Sequence, residues 1–314
     1  MSDIPTTTLG RTGLMVSTIG FGAMELRGPD GPWPRPIDDE SAARLLNRVL
    51  DSGITLIDTA PDYGLSEGFI GRHLAQRRDE YVLATKCGCT VNEDGSPIES
   101  DVHTFDRANL RAAVEQSMRR MRTDYIDLIQ FHHSPSSEEL AAHDSVAELL
   151  ALRDEGKVRF IGMSATLPNC YGHLDMNVFD VIQVPYSLLE REHEEFLSRA
   201  AAARIGTIAR NGVARGIVTA GKEKVDAIPD GWRQRWSKNR DRFEAAGLED
   251  LMDGASRTEF LIRYLLANPD VESTILGTLS PGHLDHNVAA AVKGPLPRDI
   301  YLEAQRRVAE VTAP

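Results

Sequence analysis

The sequence predicts an α/β chain folded as a (β/α)8 barrel, the TIM-barrel architecture, with an N-terminal β-hairpin and extended βα loops. Two observations carry that prediction. Eight short β-rich runs alternate with amphipathic helical stretches, the pattern of a parallel sheet with helical crossovers. Those runs are apolar along their length rather than alternating, as happens when both faces of a strand are covered. The rival is an open, doubly wound sheet. It asks for a GxGxxG turn after the first strand, and the run GFGAM at 20–24 lacks that spacing.

In chain order the strand candidates are STIGFGAM, TLIDTA, YVLATKCG, YIDLIQFH, VRFIGMSA, VIQVPYS, GTIAR and STILGT. Helical patterns fall between them, among them ESAARLLNRVLDSG, SEGFIGRHLAQRR, DRANLRAAVEQSMRRM and SVAELLALRDEG. In the first, Ala42, Leu45, Leu46 and Val49 share one face, and Gly53 suits a C-terminal cap. Before the first barrel strand, Gly10 and Gly13 suit a hairpin within residues 1–16. Residues 25–38 carry Pro and Gly at loop density. Residues 222–256 form a late insertion holding Trp232 and Trp236. The whole chain, 1–314, is expected to form a single barrel domain.

Composition narrows the function. Hydrophobic residues make up 41% of the 314, enough for a full core and against a disordered chain. A net charge of -12 argues against nucleic acid and membrane partners, since both are anionic. The three cysteines, Cys87, Cys89 and Cys170, suggest no disulfide framework in a chain of this size. No apolar run is long enough to span a bilayer, and the N-terminus has no apolar signal core. A soluble, cytoplasmic protein is the expectation.

Four residues stand out for chemistry. Asp58 ends the run ITLID, Tyr63 lies five residues on, Lys86 ends YVLATK and His132 ends YIDLIQFH. A barrel gathers the carboxyl ends of its strands on one face, so these groups would share a pocket. An acid at the end of a buried strand needs a partner, and Lys86 is the natural one. Taken alone, the two could be a structural ion pair. Tyr63 is a protonated phenol at neutral pH, and a nearby ammonium would lower its pKa and strengthen it as a proton donor. A neutral imidazole at His132 could hold a substrate oxygen. His133, next along the strand, is expected to face the other way and to stay out of the chemistry. Together the four can protonate a carbonyl oxygen while hydride reaches its carbon. Cys87 and Cys89 read as inert packing. Their C-x-C spacing is short for zinc and no second Cys/His pair is evident, so no metal is expected.

The stretches LGRTGLMVSTIGFGAM, ITLIDTAPDYGLSE, VLATKCG, DYIDLIQFHHSP, GKVRFIGMSA, VIQVPYSLLER, IGTIARNGVARGIVTAG and ILGTLSPGHLDHN, in this order, resemble the aldo-keto reductases. The resemblance covers nearly the whole length. It implies a barrel that binds NADP(H) in an extended pose, with Tyr63 as proton donor, Lys86 and Asp58 as its tuning pair and His132 orienting the carbonyl.

It also implies a cofactor path. Gly22, Ala23 and Met24 would flank the nicotinamide, Asp58 its ribose, and Ser164 and Gln183 its carboxamide. Arg210 would stack under the ring. Asn211, Gly212, Val213, Ala214, Arg215 and Gly216 match the pyrophosphate loop, and Gly277, Thr278, Ser280, His283, His286 and Asn287 the adenosine end. Two departures stand out. Ala165 follows Ser164 where the family commonly has Asn, and the last loop lacks the usual Lys or Arg for a 2'-phosphate. NAD(H) is therefore the alternative cofactor.

Met24, Trp33, His133 and a tryptophan from 222–256 would line the barrel mouth, suiting a small carbonyl compound or an aldose sugar oxidised at its anomeric carbon. Two other readings remain: a nucleotide-binding regulatory subunit with little turnover, and a metal-dependent barrel hydrolase or isomerase.

Overall fold

The computed structural model describes residues 3–30, 34–92, 102–213 and 230–312, with backbone alone for 230–236. A two-stranded antiparallel hairpin comes first, β1 (Thr6–Thr8) and β2 (Met15–Ser17). A single 3-10 turn at Gly10–Thr12 joins them, and Gly13 takes the left-handed φ of 73° that ends it. Eight parallel strands follow: β3 (Ile19–Gly22), β4 (Leu56–Asp58), β5 (Val82–Cys87), β6 (Ile126–Phe131), β7 (Val158–Ser164), β8 (Val181–Pro185), β9 (Gly206–Arg210) and β10 (Ser273–Leu276). They pair in sequence, and β10 pairs back onto β3 to close the barrel. Each of the eight runs read from the sequence contains one of these strands.

The helices pack their apolar stripes against the outside of the barrel. The first, Asp39–Asp51, buries Ala42, Leu45, Leu46 and Val49, and its Asp38 side chain accepts from the Ser41 N–H as an N-cap. Gly53, just beyond its end, has a φ of +88°, which glycine adopts without strain. The late insertion holds a helix, Asp230–Ala245. The side chains of Trp232 and Trp236, like all of Trp33, lie outside the described residues.

The barrel interior is layered. Near its amino end Leu56, Val82, Ala84, Leu128, Val181 and Ile208 form one apolar cluster with Leu9, Leu14 and Val16 of the hairpin. The hairpin thus plugs the bottom. Glu272 fastens it there, accepting from the N–H groups of Gly10 and Thr207. Stepping two residues along each strand keeps a side chain on the inner face. From Leu56 that step gives Asp58, from Ala84 Lys86, from Leu128 Gln130, from Val181 Gln183 and from Ile208 Arg210. A polar layer therefore lies above an apolar one, at the carboxyl ends of the strands.

Candidate active site

Asp58 sits at the centre of that polar layer. Its Oδ2 accepts from Lys86 Nζ at 2.7 Å, and its Oδ1 accepts from Gln130 Nε2 at 3.0 Å and Gln183 Nε2 at 2.8 Å. Lys86 also donates to the Thr59 carbonyl at 2.9 Å. Asp58 and Lys86 are 2% and 1% exposed, so each ion depends on the other for compensation. Burial alone pulls the Lys86 ammonium down, but Asp58 and Tyr63 more than offset it and hold its pKa above the ordinary value.

Tyr63 reaches the same place from the loop after β4. Its N–H donates to the Ala60 carbonyl, and the next turn begins as Ser66 N–H donates to the Tyr63 carbonyl. This loop is tied to the one after β3. Ser66 Oγ donates to the Ala23 carbonyl at 2.9 Å, and Leu65 N–H donates to the Arg27 carbonyl at 3.1 Å. Gly64 is required there, with a φ of +50° and room for no Cβ, which would fall 2.2 Å from the Arg27 carbonyl oxygen. Lys86 Nζ lies 5.3 Å from the centre of the Tyr63 ring. The lowered phenol pKa expected from the sequence is overturned. Burial pushes it above its ordinary value, and Lys86 recovers only part of the shift.

His132 lies one residue beyond the end of β6, anchored by its N–H to the Cys87 carbonyl at 3.1 Å. Its ring stands edge-on to Tyr63, with centroids 6.0 Å apart. Burial, reinforced by Lys86, holds its pKa well below the usual value, so the imidazole is neutral. The structure thus brings Asp58, Lys86, Tyr63 and His132 together at one barrel end.

His133 requires a correction. The strand stops at Phe131, and His133 has a φ of 59°, so strand alternation no longer governs it. Its ring lies 4.4 Å from that of His132 and 3.8 Å from that of His103, on the same side. Three more neighbours escaped the sequence reading. Cys89 Sγ is 3.1 Å from His132 Nδ1, Asp62 Oδ2 is 3.5 Å from the same nitrogen, and His103 Nε2 is 4.0 Å from Asp62 Oδ2. Cys89 is therefore not mere packing, and a second histidine does stand with it. Gln130 was missed as well. Its signal was a lone amide two residues before His132 in an apolar run.

Of the residues expected along a cofactor path, Gly22, Ser164 and Arg210 end barrel strands, and Gln183 lies near the end of another. Ser164 and Gln183 pair across β7 and β8, and both are buried. Gln183 Oε1 has no hydrogen-bond partner among the described residues. Ala23 is buried, while Gly22 and Met24 are half-buried. A Cβ on Gly277 would fall 2.8 Å from the Gly22 carbonyl oxygen, so the loops after β3 and β10 meet in close contact. Arg210 ends β9 on the inner face, near enough to act electrostatically on Tyr63 and His132. Asn211 has a φ of 63°. Gly212 packs so tightly that a Cβ would fall 2.2 Å from Leu265, and Val213 closes the described part of that loop. Ala214, Arg215 and Gly216 lie outside the described residues. Thr278 and Asn287 are buried, whereas His283 is exposed and donates its backbone N–H to the Ser280 side chain that caps the helix Pro281–Val292. His286 bonds Ser256 instead, at 2.8 Å.

A hollow of about 220 Å3 lies at the opposite end of the barrel among Tyr81, Asp127 and Arg159. The ion pairs of Asp127 with Arg78 and Arg159 satisfy its charges.

Comparison with known proteins agrees with this geometry. The model of the Aldo/keto reductase family matches residues 18–304. The chain is 32% identical over 302 residues to the Aldo-keto reductase YhdN of Bacillus subtilis (strain 168), covering 89% of this chain and 86% of that protein. It is 27% identical over 311 residues to the L-galactose dehydrogenase of Arabidopsis thaliana, covering 93% and 90%. Among solved structures it is similar to the holo form of the aldo-keto reductase AKR11C1 from Bacillus halodurans, with a TM-score of 0.79, 27% identity, and coverage of 97% and 96%.

These matches define a carbonyl-reducing oxidoreductase on a (β/α)8 barrel. The chain belongs to the aldo/keto reductase family, whose members act on small-molecule carbonyl compounds and generally use NAD(P)H. No helix among the described residues is long and apolar enough to cross a membrane.

Proposed function

We propose that the protein reduces a small aldehyde or ketone to an alcohol, or runs the reverse reaction, with Tyr63 as general acid and NADP(H) as cofactor. The observation that carries this reading is the Asp58–Lys86 ion pair, buried beside Tyr63 and the neutral ring of His132. The bound cofactor supplies hydride to the carbonyl carbon. Tyr63 delivers the proton to the carbonyl oxygen, leaving a phenolate that Lys86 stabilises. Asp58 keeps Lys86 charged and in place. His132, being neutral, donates a ring N–H to the same oxygen and sets its direction.

Several residues suit a nicotinamide nucleotide. Gln183 spends its amide N–H on Asp58, which leaves its oxygen to accept from a carboxamide. Ser164 stands beside it. Gly22, Ala23, Met24, Gly277 and Arg210 shape the adjoining wall, and Asn211, Gly212 and Val213 continue it. The helix Pro281–Val292 would turn the positive end of its dipole, close in the chain to Thr278, His283 and Asn287, toward a phosphate. That end has no lysine or arginine against a 2'-phosphate, so NAD(H) is the second candidate. The likeness to an L-galactose dehydrogenase adds aldose oxidation as the second substrate reading. We place this activity in one barrel domain spanning 1–314, in the cytoplasm, as the sequence suggested.

Fluorescence titration with NADPH and NADH tests the cofactor, and a carbonyl and aldose panel followed at the reduced-nicotinamide absorbance tests the reaction. Binding of either nucleotide with turnover of at least one class supports the proposal. Tight binding without turnover of any class would replace it with the regulatory reading, and no binding would end it.

A further inference from the structure

Asp62, Cys89, His103 and His132 come from four separated positions, yet one ligating atom from each lies within 4.8 Å of the other three. Three of the separations are 3.1 Å between Cys89 Sγ and His132 Nδ1, 3.5 Å between His132 Nδ1 and Asp62 Oδ2, and 4.0 Å between Asp62 Oδ2 and His103 Nε2. Zinc bonds of about 2.0–2.3 Å in a tetrahedron put ligand atoms roughly 3.3–3.8 Å apart. The 3.1 and 3.5 Å separations are close to that range, and no pair, all lying within 4.8 Å, has more than about 1 Å to close.

Two further observations point to a ligand. Asp62 Oδ1 and His103 Nε2 are buried polar atoms with no hydrogen-bond partner among the described residues, an arrangement that costs stability unless something fills it. The frame is also set in advance. Cys89 and His103 face each other across an antiparallel bridge, and Thr104 N–H donates to the Gly88 carbonyl at 2.8 Å. Gly88 has a φ of +94°, with the Phe105 ring where a Cβ would be.

We propose that Asp62, Cys89, His103 and His132 form a tetrahedral site for one divalent cation of the zinc class, set in the wall of the pocket. One thiolate, two imidazoles and one carboxylate are the donor set that zinc prefers over magnesium or calcium. The ion enters past Asp62, whose side chain is 22% exposed. Its binding displaces the thiol proton of Cys89 to solvent. Held at Nδ1 of His132, the ion leaves the other ring nitrogen carrying the proton. The site does not depend on the hydride-transfer reading, because its occupancy is measured without turnover.

Cobalt(II) is the probe. Titrated into chelator-stripped protein, one equivalent should give the intense visible bands of tetrahedral cobalt and a near-ultraviolet thiolate-to-cobalt band, both removed by zinc. Cys89→Ser should lose the thiolate band. His103→Ala should weaken cobalt binding by at least the roughly 10- to 100-fold that an outer-shell partner is worth. Cys170→Ser, at a buried thiol outside the cluster, should change nothing. A weak octahedral spectrum in the wild type overturns the proposal, whatever the variants do. So does a thiolate band that survives Cys89→Ser or vanishes in Cys170→Ser. Should Cys89→Ser fail to show a cooperative melt, the wild-type spectrum and His103→Ala still decide.

Discussion

Lys86 Nζ stands 2.7 Å from Asp58 Oδ2, and both side chains are almost wholly withdrawn from solvent. Such a pair gains little over an apolar replacement, yet breaking it strands a charge. Asp58→Asn should therefore lower unfolding stability by about 3–5 kcal/mol. Urea denaturation at neutral pH measures it. A loss under about 1 kcal/mol would show that Lys86 finds water or sheds its proton instead.

Tyr63→Phe removes the proposed proton donor and little else. Reduction should fall by at least the roughly 100-fold that a general acid contributes, while nucleotide affinity stays within a few-fold on the order of the parent value. Steady-state kinetics with a fluorescence titration separates the two. Lys86→Met should cost several orders of magnitude, on the order of the upper end for acid–base assistance, because ion pair and phenol stabilisation disappear together. Wild-type turnover in Tyr63→Phe would reassign the acid.

The raised pKa of Tyr63 sets a pH dependence. Reduction needs the protonated phenol, so activity persists below that pKa and is lost as the pH climbs through it. Burial puts the loss above the ordinary phenol range near pH 10, and Lys86 limits how far above. The alkaline limb of kcat/KM should therefore lie beyond that range. In the residual activity of Lys86→Met it should move higher still, since the ammonium that favours phenolate is gone. A limb that shifts downward in that variant contradicts the electrostatic role given to Lys86.

Gly64→Ala tests the loop that carries Tyr63. The substitution meets both a left-handed backbone and the Arg27 carbonyl, and each such strain costs roughly 1–3 kcal/mol. Gly53→Ala, with a φ of +88° but open space around its Cβ, meets the backbone term alone. Thermal melts should rank Gly64→Ala as the more destabilised. It should also lose kcat, which Gly53→Ala should retain. Equal melts and equal rates would mean that the contact with Arg27 does not hold the loop.

The fold was legible because strand and helix periods differ and the apolar runs were continuous. Asp58 and Lys86 could be read because a charge closing a buried strand stands out against its neighbours. The surroundings of His132 were less legible. His133 itself takes a left-handed φ that no glycine announces, so strand alternation misplaced it. Asp62 lies in the loop after β4, and Cys89 and His103 lie 14 positions apart in the loop after β5; spacing along the chain carries no trace of their meeting. The phenol of Tyr63 was misjudged because two opposing effects act on it, and the residue type reveals neither magnitude. Gln130 could have been found by following the inward-facing register of β6.

The pairing of β10 with β3 joins residues about 250 positions apart. During synthesis, β3 and β9 stay open-edged until Ser273–Leu276 leaves the ribosome to pair with both, and an exposed edge invites pairing with other chains. The loops after β3 and β10 also touch only at that moment, through Gly22 and Gly277. A nascent chain cut short before β10 should thus depend on chaperones, and nucleotide would reach a finished pocket only as the ring is sealed.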